Sequence, residues 1–72
     1  MAGDDSIALG RQIRDRRRSL HLTQDDLAEL AGASPRFVRA LEGGKPGVQM
    51  NKVLDVLDVL GLEIELTPRP SA

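Results

Sequence analysis

The stretch TQDDLAELAGASPRFVRALEGG, from Thr23 to Gly44, carries signals for two short helices joined by a tight turn. Thr23 can cap the first helix and Ser34 the second, because each hydroxyl can accept a hydrogen bond from a backbone N–H of the first turn. Gly32 ends the first helix, and Pro35 occupies the first position of the second, where a missing N–H costs nothing. Two short helices joined in this way are typical of a helix-turn-helix.

Two further helices flank this pair. Apolar residues at helical spacing predict a first helix over residues 7–19, capped by Asp5 or Ser6. They also predict a fourth helix over residues 49–60, which ends at Gly61. The residues of the fourth helix that we expect to be buried are Met50, Val53, Leu54, Leu57 and Leu60.

The segment LEIELT, at residues 62–67, alternates strictly between apolar and polar side chains and predicts a strand. No second segment has a strand pattern, so the backbone of this one needs a partner from outside the chain. An antiparallel copy of the same strand across a two-fold axis is the simplest solution. We therefore expect a homodimer whose interface contains Val56, Val59, Leu62, Ile64 and Leu66. The expected divisions are a flexible start (1–6), a helix-turn-helix domain (7–60), a dimerisation strand (61–67) and a frayed tail (68–72).

The charges are unevenly distributed, although the formal net charge is only −1. The segment RQIRDRRRSLHL, at residues 11–22, contains five arginines and one aspartate, whereas the chain beyond Pro46 is mostly acidic. The excess of arginine at residues 11–22 favours a polyanionic partner. The alternative is that these arginines form a solvated helix face. If the partner is nucleic acid, we expect Arg14 and Arg18 to bind phosphate.

The composition disfavours an enzyme, a metal site and a membrane protein. The chain has one histidine and no cysteine, and its carboxylates do not cluster at metal-ligand spacing. The segment EGGKPG lacks the glycine spacing of a phosphate-binding P-loop. The start, MAGDDSIALG, is unlike a signal peptide, and no stretch is long enough to span a membrane. We therefore expect a cytoplasmic protein without a catalytic site, cofactor or metal.

Two stretches resemble the Cro/cI-type (XRE) helix-turn-helix family. LTQDDLAELAGAS is similar to the family pattern LTQ.ELA...GVS, and FVRALEGGK is similar to I..LE.GK. The resemblance covers about residues 7–60. It implies a mainly α, lambda-repressor-like domain of four or five helices, whose third helix enters the major groove of double-stranded DNA.

The resemblance also implies roles for individual residues. Thr23 and Gln24 stand where relatives grip a phosphate, and Lys45 matches a second phosphate contact. Arg36 lies near the start of the reading helix, and an arginine can bond a guanine edge in two places. Pro35 is limited to apolar contacts. The base-reading positions would be Ser34, Pro35, Arg36, Arg39 and Ala40.

Three side chains have two interpretations each. Phe37 could lie against the DNA backbone or a thymine methyl, or it could fill a gap under its own helix. Arg39 could read a base or reach only a phosphate. Arg17 and Glu42 match positions that form a partly buried ion pair in several family members, although Arg17 could instead bind phosphate.

The tail KVLDVLDVLGLEIELTP gives a closer resemblance, to HipB-type antitoxins. That resemblance implies autorepression of a toxin–antitoxin operon through a palindromic operator, with a HipA-like kinase toxin as a partner. Two other interpretations remain: a stand-alone or phage-type repressor without a toxin, and a protein-interaction module that has lost DNA binding.

Overall fold

A computed structural model describes residues 2–70, with side chains from Asp5 onward. Four helices follow one another: α1 (Ala2–Ser19), α2 (Gln24–Ala31), α3 (Pro35–Glu42) and α4 (Met50–Leu60). The predicted four-helix architecture is confirmed. None of these helices is long and apolar enough to cross a membrane.

The ends of α2 and α3 lie where the capping residues predict. The Thr23 hydroxyl accepts a hydrogen bond from the Asp26 N–H at 3.0 Å, and the Asp26 carboxylate accepts one from the Thr23 N–H at 2.9 Å. Ser34 caps α3 by accepting from the Phe37 N–H at 3.1 Å. Gly32 ends α2 with φ 65°, a left-handed conformation that glycine adopts without steric cost.

Helix α1 begins at Ala2, five residues before the predicted start at residue 7. Asp5 and Ser6, predicted to be caps, therefore lie inside the helix. The expected flexible start is helical from residue 2, and Met1 lies outside the described residues. Asp5 lies near the N-terminal end of α1, where a carboxylate interacts favourably with the helix dipole, which is consistent with the earlier start.

Helix α1 lies close against the end of α3. A Cβ atom at Gly10 would stand 2.5 Å from the Leu41 carbonyl oxygen and 2.6 Å from that of Glu42. At Gly44, which has φ 82°, a Cβ would stand 2.8 Å from Cγ1 of Ile7. Glycine at both positions permits this approach, which brings the arginines of α1 beside the helix-turn-helix.

The core forms where the four helices meet. On α4, Val53, Leu57 and Leu60 are buried as predicted. Val56 is also fully buried, at 0% exposure, so it belongs to the core of the subunit and cannot line a dimer interface as predicted. Met50 and Leu54, predicted to be buried, are 61% and 47% exposed. The covered flank of α4 is therefore the one bearing Val56.

The chain beyond Gly61 forms neither helix nor strand up to Pro70, and residues 71–72 of the predicted frayed tail lie outside the described residues. The predicted strand is thus not formed in the single chain, because a strand requires a neighbour for its backbone and none of the described segments supplies one. Val59 and Leu62 are half-buried and pack against the core, whereas Ile64 is 49% and Leu66 90% exposed.

Two basic side chains join helices that are far apart in sequence. Nε of Arg16 on α1 donates to the Leu60 carbonyl at the end of α4, at 2.9 Å. Nζ of Lys52 on α4 donates to the Gly32 carbonyl in the turn after α2, at 2.8 Å. Both cations satisfy carbonyls at helix C-termini, where the helix dipole favours positive charge. Arg16 therefore has a structural contact.

Candidate nucleic-acid interface

Helix α3 buries one face and exposes the other. Val38, Leu41 and Glu42 point inward. The outer face carries all five predicted base-reading positions: Ser34, Pro35, Arg36 and Arg39 are exposed, and Ala40 is half-buried. The structure therefore leaves these side chains accessible along one side of a short helix.

An open groove of about 640 Å³ runs along one side of α3. We call it the arginine groove. It contains four arginines and one acid, so its lining is mainly basic, and it lies between α3, the second half of α1 and the start of α2. Its lining residues are Arg14, Arg17, Arg18, Leu22, Thr23, Gln24, Arg39, Glu42 and Gly43.

A second groove, of about 310 Å³, lies between α3 and the connection to α4. We call it the loop groove. Two cations, two uncharged polar side chains and three apolar side chains line it. Its lining residues are Ser34, Arg36, Phe37, Ala40, Lys45, Gly47, Val48 and Gln49. Helix α3 is therefore a ridge between two basic grooves, with Arg39 in one and Arg36 in the other.

Arg17 and Glu42 form the predicted ion pair, which joins α1 to α3. Nε and Nη2 of Arg17 donate to the two carboxylate oxygens of Glu42, at 2.6 and 3.0 Å. Nη1 of Arg17 donates to the Leu22 carbonyl at 2.8 Å. The hydrogen bond to Glu42 raises the pKa of Arg17 above its ordinary value, although burial acts in the opposite direction. Every nitrogen of this guanidinium thus has a protein acceptor, which favours the ion pair over phosphate binding.

Thr23 and Gln24, which are predicted to bind phosphate, lie at the N-terminal end of α2. The Gln24 amide donates one N–H to Oε1 of Glu42 at 3.1 Å, and an amide nitrogen carries a second N–H. The Thr23 hydroxyl accepts the capping hydrogen bond and also interacts with the Asp26 carboxylate. Both side chains line the arginine groove, and Gln24 retains a donor for an anion.

Arg14 is a half-buried cation in this groove whose hydrogen bonding is incomplete. Its Nε is buried and has no hydrogen-bond partner among the described residues. A buried donor without a partner is costly and calls for an explanation. An anion lying in the groove would supply an acceptor. Arg18 lines the same groove and is exposed.

Phe37 is half-buried and packs against the core. It also lines the loop groove, beside Ala40 and Val48. The gap-filling interpretation of Phe37 is therefore supported by its contacts. Its role as a DNA contact stays a prediction.

Sequence reasoning missed the capping roles of Arg16 and Lys52 and the Gln24–Glu42 hydrogen bond. The partners are separated by 44, 20 and 18 positions, so no local pattern pointed to them. Among the described residues, no group of three or more histidine, aspartate or glutamate side chains could hold a metal ion.

Comparisons with known proteins agree with this geometry. A family model described as a helix-turn-helix domain matches residues 8–69. The chain is 45% identical over 58 residues to an uncharacterized HTH-type transcriptional regulator, y4mF, of Sinorhizobium fredii (strain NBRC 101917 / NGR234), covering 81% of this chain and 76% of that protein. The fold of the present chain is similar to that in the crystal structure of the restriction-modification controller protein C.AhdI from Aeromonas hydrophila. The TM-score is 0.75 and the sequence identity 28%, over 83% of this chain and 87% of the controller chain. The chain belongs to the XRE-type helix-turn-helix family of DNA-binding transcriptional regulators.

Proposed function

We propose that the protein is a sequence-specific transcriptional repressor that inserts α3 into the major groove of an operator. The observation that carries this proposal is the ridge formed by α3, which exposes Arg36 and Arg39 between two basic grooves. The major groove is about 12 Å wide and admits one helix. The two phosphate backbones that border it would then follow the two grooves.

Within this arrangement the phosphate contacts divide between the grooves. Arg14, Arg18, Thr23 and Gln24 bind phosphates in the arginine groove. Lys45 binds a phosphate in the loop groove. These contacts fix the register of the protein on the duplex but do not read its sequence.

The base contacts come from the outer face of α3. Arg36 is exposed near the N-terminal end of the helix, so we assign it to a guanine edge. Arg39 lies one turn later and lines the arginine groove, which favours a phosphate contact. Ser34 and Ala40 have small side chains that can approach base edges closely, and Pro35 makes apolar contacts only.

The repressor acts as a homodimer joined through its tail. The segment LEIEL at residues 62–66 reads the same in both directions. An antiparallel pair centred on Ile64 therefore places Leu62 of one copy opposite Leu66 of the other, and the exposed apolar side chains cover each other. Val59 lies next to this joint. Two reading helices would then contact half-sites about 34 Å apart on an inverted-repeat operator.

A salt titration tests DNA binding. Duplexes bound by the protein are first selected from a random library, and the affinity for the enriched duplex is then measured between 50 and 200 mM salt. We expect about 10³-fold weaker binding or more at the higher salt if six phosphates are neutralised. Absent or salt-independent binding would instead favour the protein-interaction module, and enriched sequences without inverted symmetry would contradict the dimeric arrangement.

The toxin–antitoxin interpretation is a narrower hypothesis, which rests on the resemblance of the tail to HipB-type antitoxins. A stand-alone repressor, or a controller like the similar restriction-modification protein, needs no toxin. Co-expression with any kinase-like protein that a neighbouring gene encodes distinguishes the antitoxin from the other two regulators. Only an antitoxin forms a stoichiometric complex with that protein and neutralises the protein's toxicity.

A further inference from the structure

Glu42 holds two side chains from two different helices. Its Oε1 accepts from Nη2 of Arg17 on α1 at 3.0 Å and from Nε2 of Gln24 on α2 at 3.1 Å. Its Oε2 accepts from Nε of Arg17 at 2.6 Å. Glu42 is itself the last residue of the reading helix α3. One carboxylate therefore fixes the Gln24 amide relative to the helix that meets the bases.

We propose that Glu42 is the positioning residue for the phosphate clamp at Gln24. This inference rests on the proposed DNA-binding function and adds a role that the ion pair alone does not have. The Gln24 amide donates one N–H to Glu42 and keeps its second N–H for a phosphate oxygen. Its conformation is thus ordered before DNA arrives.

Ordering Gln24 in advance strengthens binding because a free glutamine loses rotamer freedom when it is immobilised. Preorganisation removes that cost from the binding step. It also fixes the distance between the phosphate contact and α3, because the anchor belongs to α3. The register of the base-reading side chains is therefore set from within the subunit.

Arg17 makes this arrangement compatible with an anionic ligand. An isolated carboxylate facing the arginine groove would repel phosphate. The two hydrogen bonds from Arg17 neutralise Glu42 while leaving Oε1 able to accept from Gln24. Arg17 itself is held by Glu42 and the Leu22 carbonyl, so Gln24, and not Arg17, faces the phosphate.

A double-mutant cycle on operator affinity tests the proposal. The substitutions R17M and E42M, made together, remove the ion pair without leaving an unpaired buried charge and leave the net charge unchanged. The second change is Q24A. With Gln24 present, we expect the methionine pair to weaken operator binding about tenfold, equivalent to about 1.4 kcal/mol. In the Q24A background the same pair should weaken binding less than about twofold.

An equal loss in both backgrounds would overturn the proposal, because a structural effect on the angle between α1 and α3 does not depend on Gln24. That result would leave the proposed DNA-binding function intact. If the unaltered protein binds no duplex at all, the proposed function fails and this inference fails with it.

A second measurement does not depend on the folding of the variants. Nuclear magnetic resonance of the unaltered, DNA-free protein can compare the side-chain amide of Gln24 with those of Gln12 and Gln49, which are exposed. We expect restricted motion and slowed exchange of one amide proton at Gln24 alone. A Gln24 amide as mobile as the other two would overturn the proposal.

Discussion

The Arg17 guanidinium meets the Glu42 carboxylate side-on, through two parallel hydrogen bonds of 2.6 and 3.0 Å. Both side chains are almost fully buried, with 9% and 3% of their surfaces exposed. Both residues line the arginine groove, and the pair joins α1 to the end of α3. Stability and the position of the proposed DNA-binding surface therefore depend on the same contact.

Replacing Arg17 alone with methionine should destabilise the protein strongly. The substitution leaves the Glu42 carboxylate buried without its cation, and breaking one partner of a buried pair costs about 3–5 kcal/mol. The free energy of unfolding from urea titrations would show the loss. The matched control is Arg18→Met, one residue away and exposed, which should change stability by less than about 0.5 kcal/mol. Equal effects of the two substitutions would show that the ion pair contributes nothing specific.

Gly10→Ala should destabilise the protein even though alanine is the better helix former. Propensity alone favours alanine by about 1 kcal/mol in a helix. The added Cβ, however, would meet the backbone oxygens of Leu41 and Glu42, which cannot rotate away. We expect a net loss of about 1–3 kcal/mol, measured by thermal or urea unfolding. The reverse change at exposed Ala8, Ala8→Gly, should cost about 1 kcal/mol from propensity alone. A stabilising effect of Gly10→Ala would contradict the close approach of α1 to α3.

The helix-turn-helix could be predicted from sequence because its boundaries are set locally. Thr23, Gly32 and Ser34 each act on backbone groups within about one helical turn, so the residue type and its spacing were sufficient. His21 has φ 59° in the turn between α1 and α2, a conformation that histidine adopts more readily than most residues other than glycine.

The predictions that were wrong or missing concern features that depend on packing between helices. Helix α4 is apolar on more than one side, and only the placement of α2 and α1 decides that Val56 is covered and Leu54 is not. The capping of distant helices by Arg16 and Lys52 has the same origin. The structure of the tail could not be predicted, because an alternating pattern forms a strand only where another segment pairs with its backbone, and none of the described segments does so.

Thr23 and Asp26 form a capping box, in which each side chain accepts a hydrogen bond from the backbone N–H of the other residue. This capping box should make stability depend on pH in the acid range. Hydrogen bonds from the backbone and hydroxyl of Thr23 lower the pKa of Asp26 below its ordinary 3.8. A lowered pKa in the folded state means that the charged carboxylate stabilises α2 above the ordinary pKa. This contribution is lost as the pH falls through the folded value. The difference in melting temperature between the unaltered protein and Asp26→Ala should therefore shrink below about pH 4. Asp25→Ala, in the same helical turn but outside the box, is the control, and an Asp26 effect that persists undiminished in acid would contradict the assignment.

Arg36→Ala should relax sequence preference at one base pair of each half-site. A bidentate arginine–guanine contact provides about 1–3 kcal/mol of discrimination. Competition with duplexes carrying single substitutions would measure the change at each position. Lys45→Ala removes a proposed phosphate contact, so it should weaken the binding of all duplexes about equally. The slope of log affinity against log salt should fall by about the contribution of one phosphate. Unchanged discrimination in Arg36→Ala would exclude it as the base-reading residue.

Ile64→Asp should convert the proposed dimer to a monomer and greatly weaken operator binding. In the proposed antiparallel pair Ile64 lies on the two-fold axis, so the substitution places two carboxylates in the apolar centre of the joint. Sedimentation at several protein concentrations measures the fraction of dimer.

The opposite face of the proposed strand pair provides the control. Centring the pair on Ile64 sets Glu63 of one copy against Glu65 of the other, and like charges directly opposite are destabilising. Glu63→Gln should therefore tighten the dimer, most visibly at low salt, where screening is weakest. A dimer that tolerates Ile64→Asp would place the joint elsewhere, and the exposed flank of α4 at Met50 and Leu54 would be the next surface to alter.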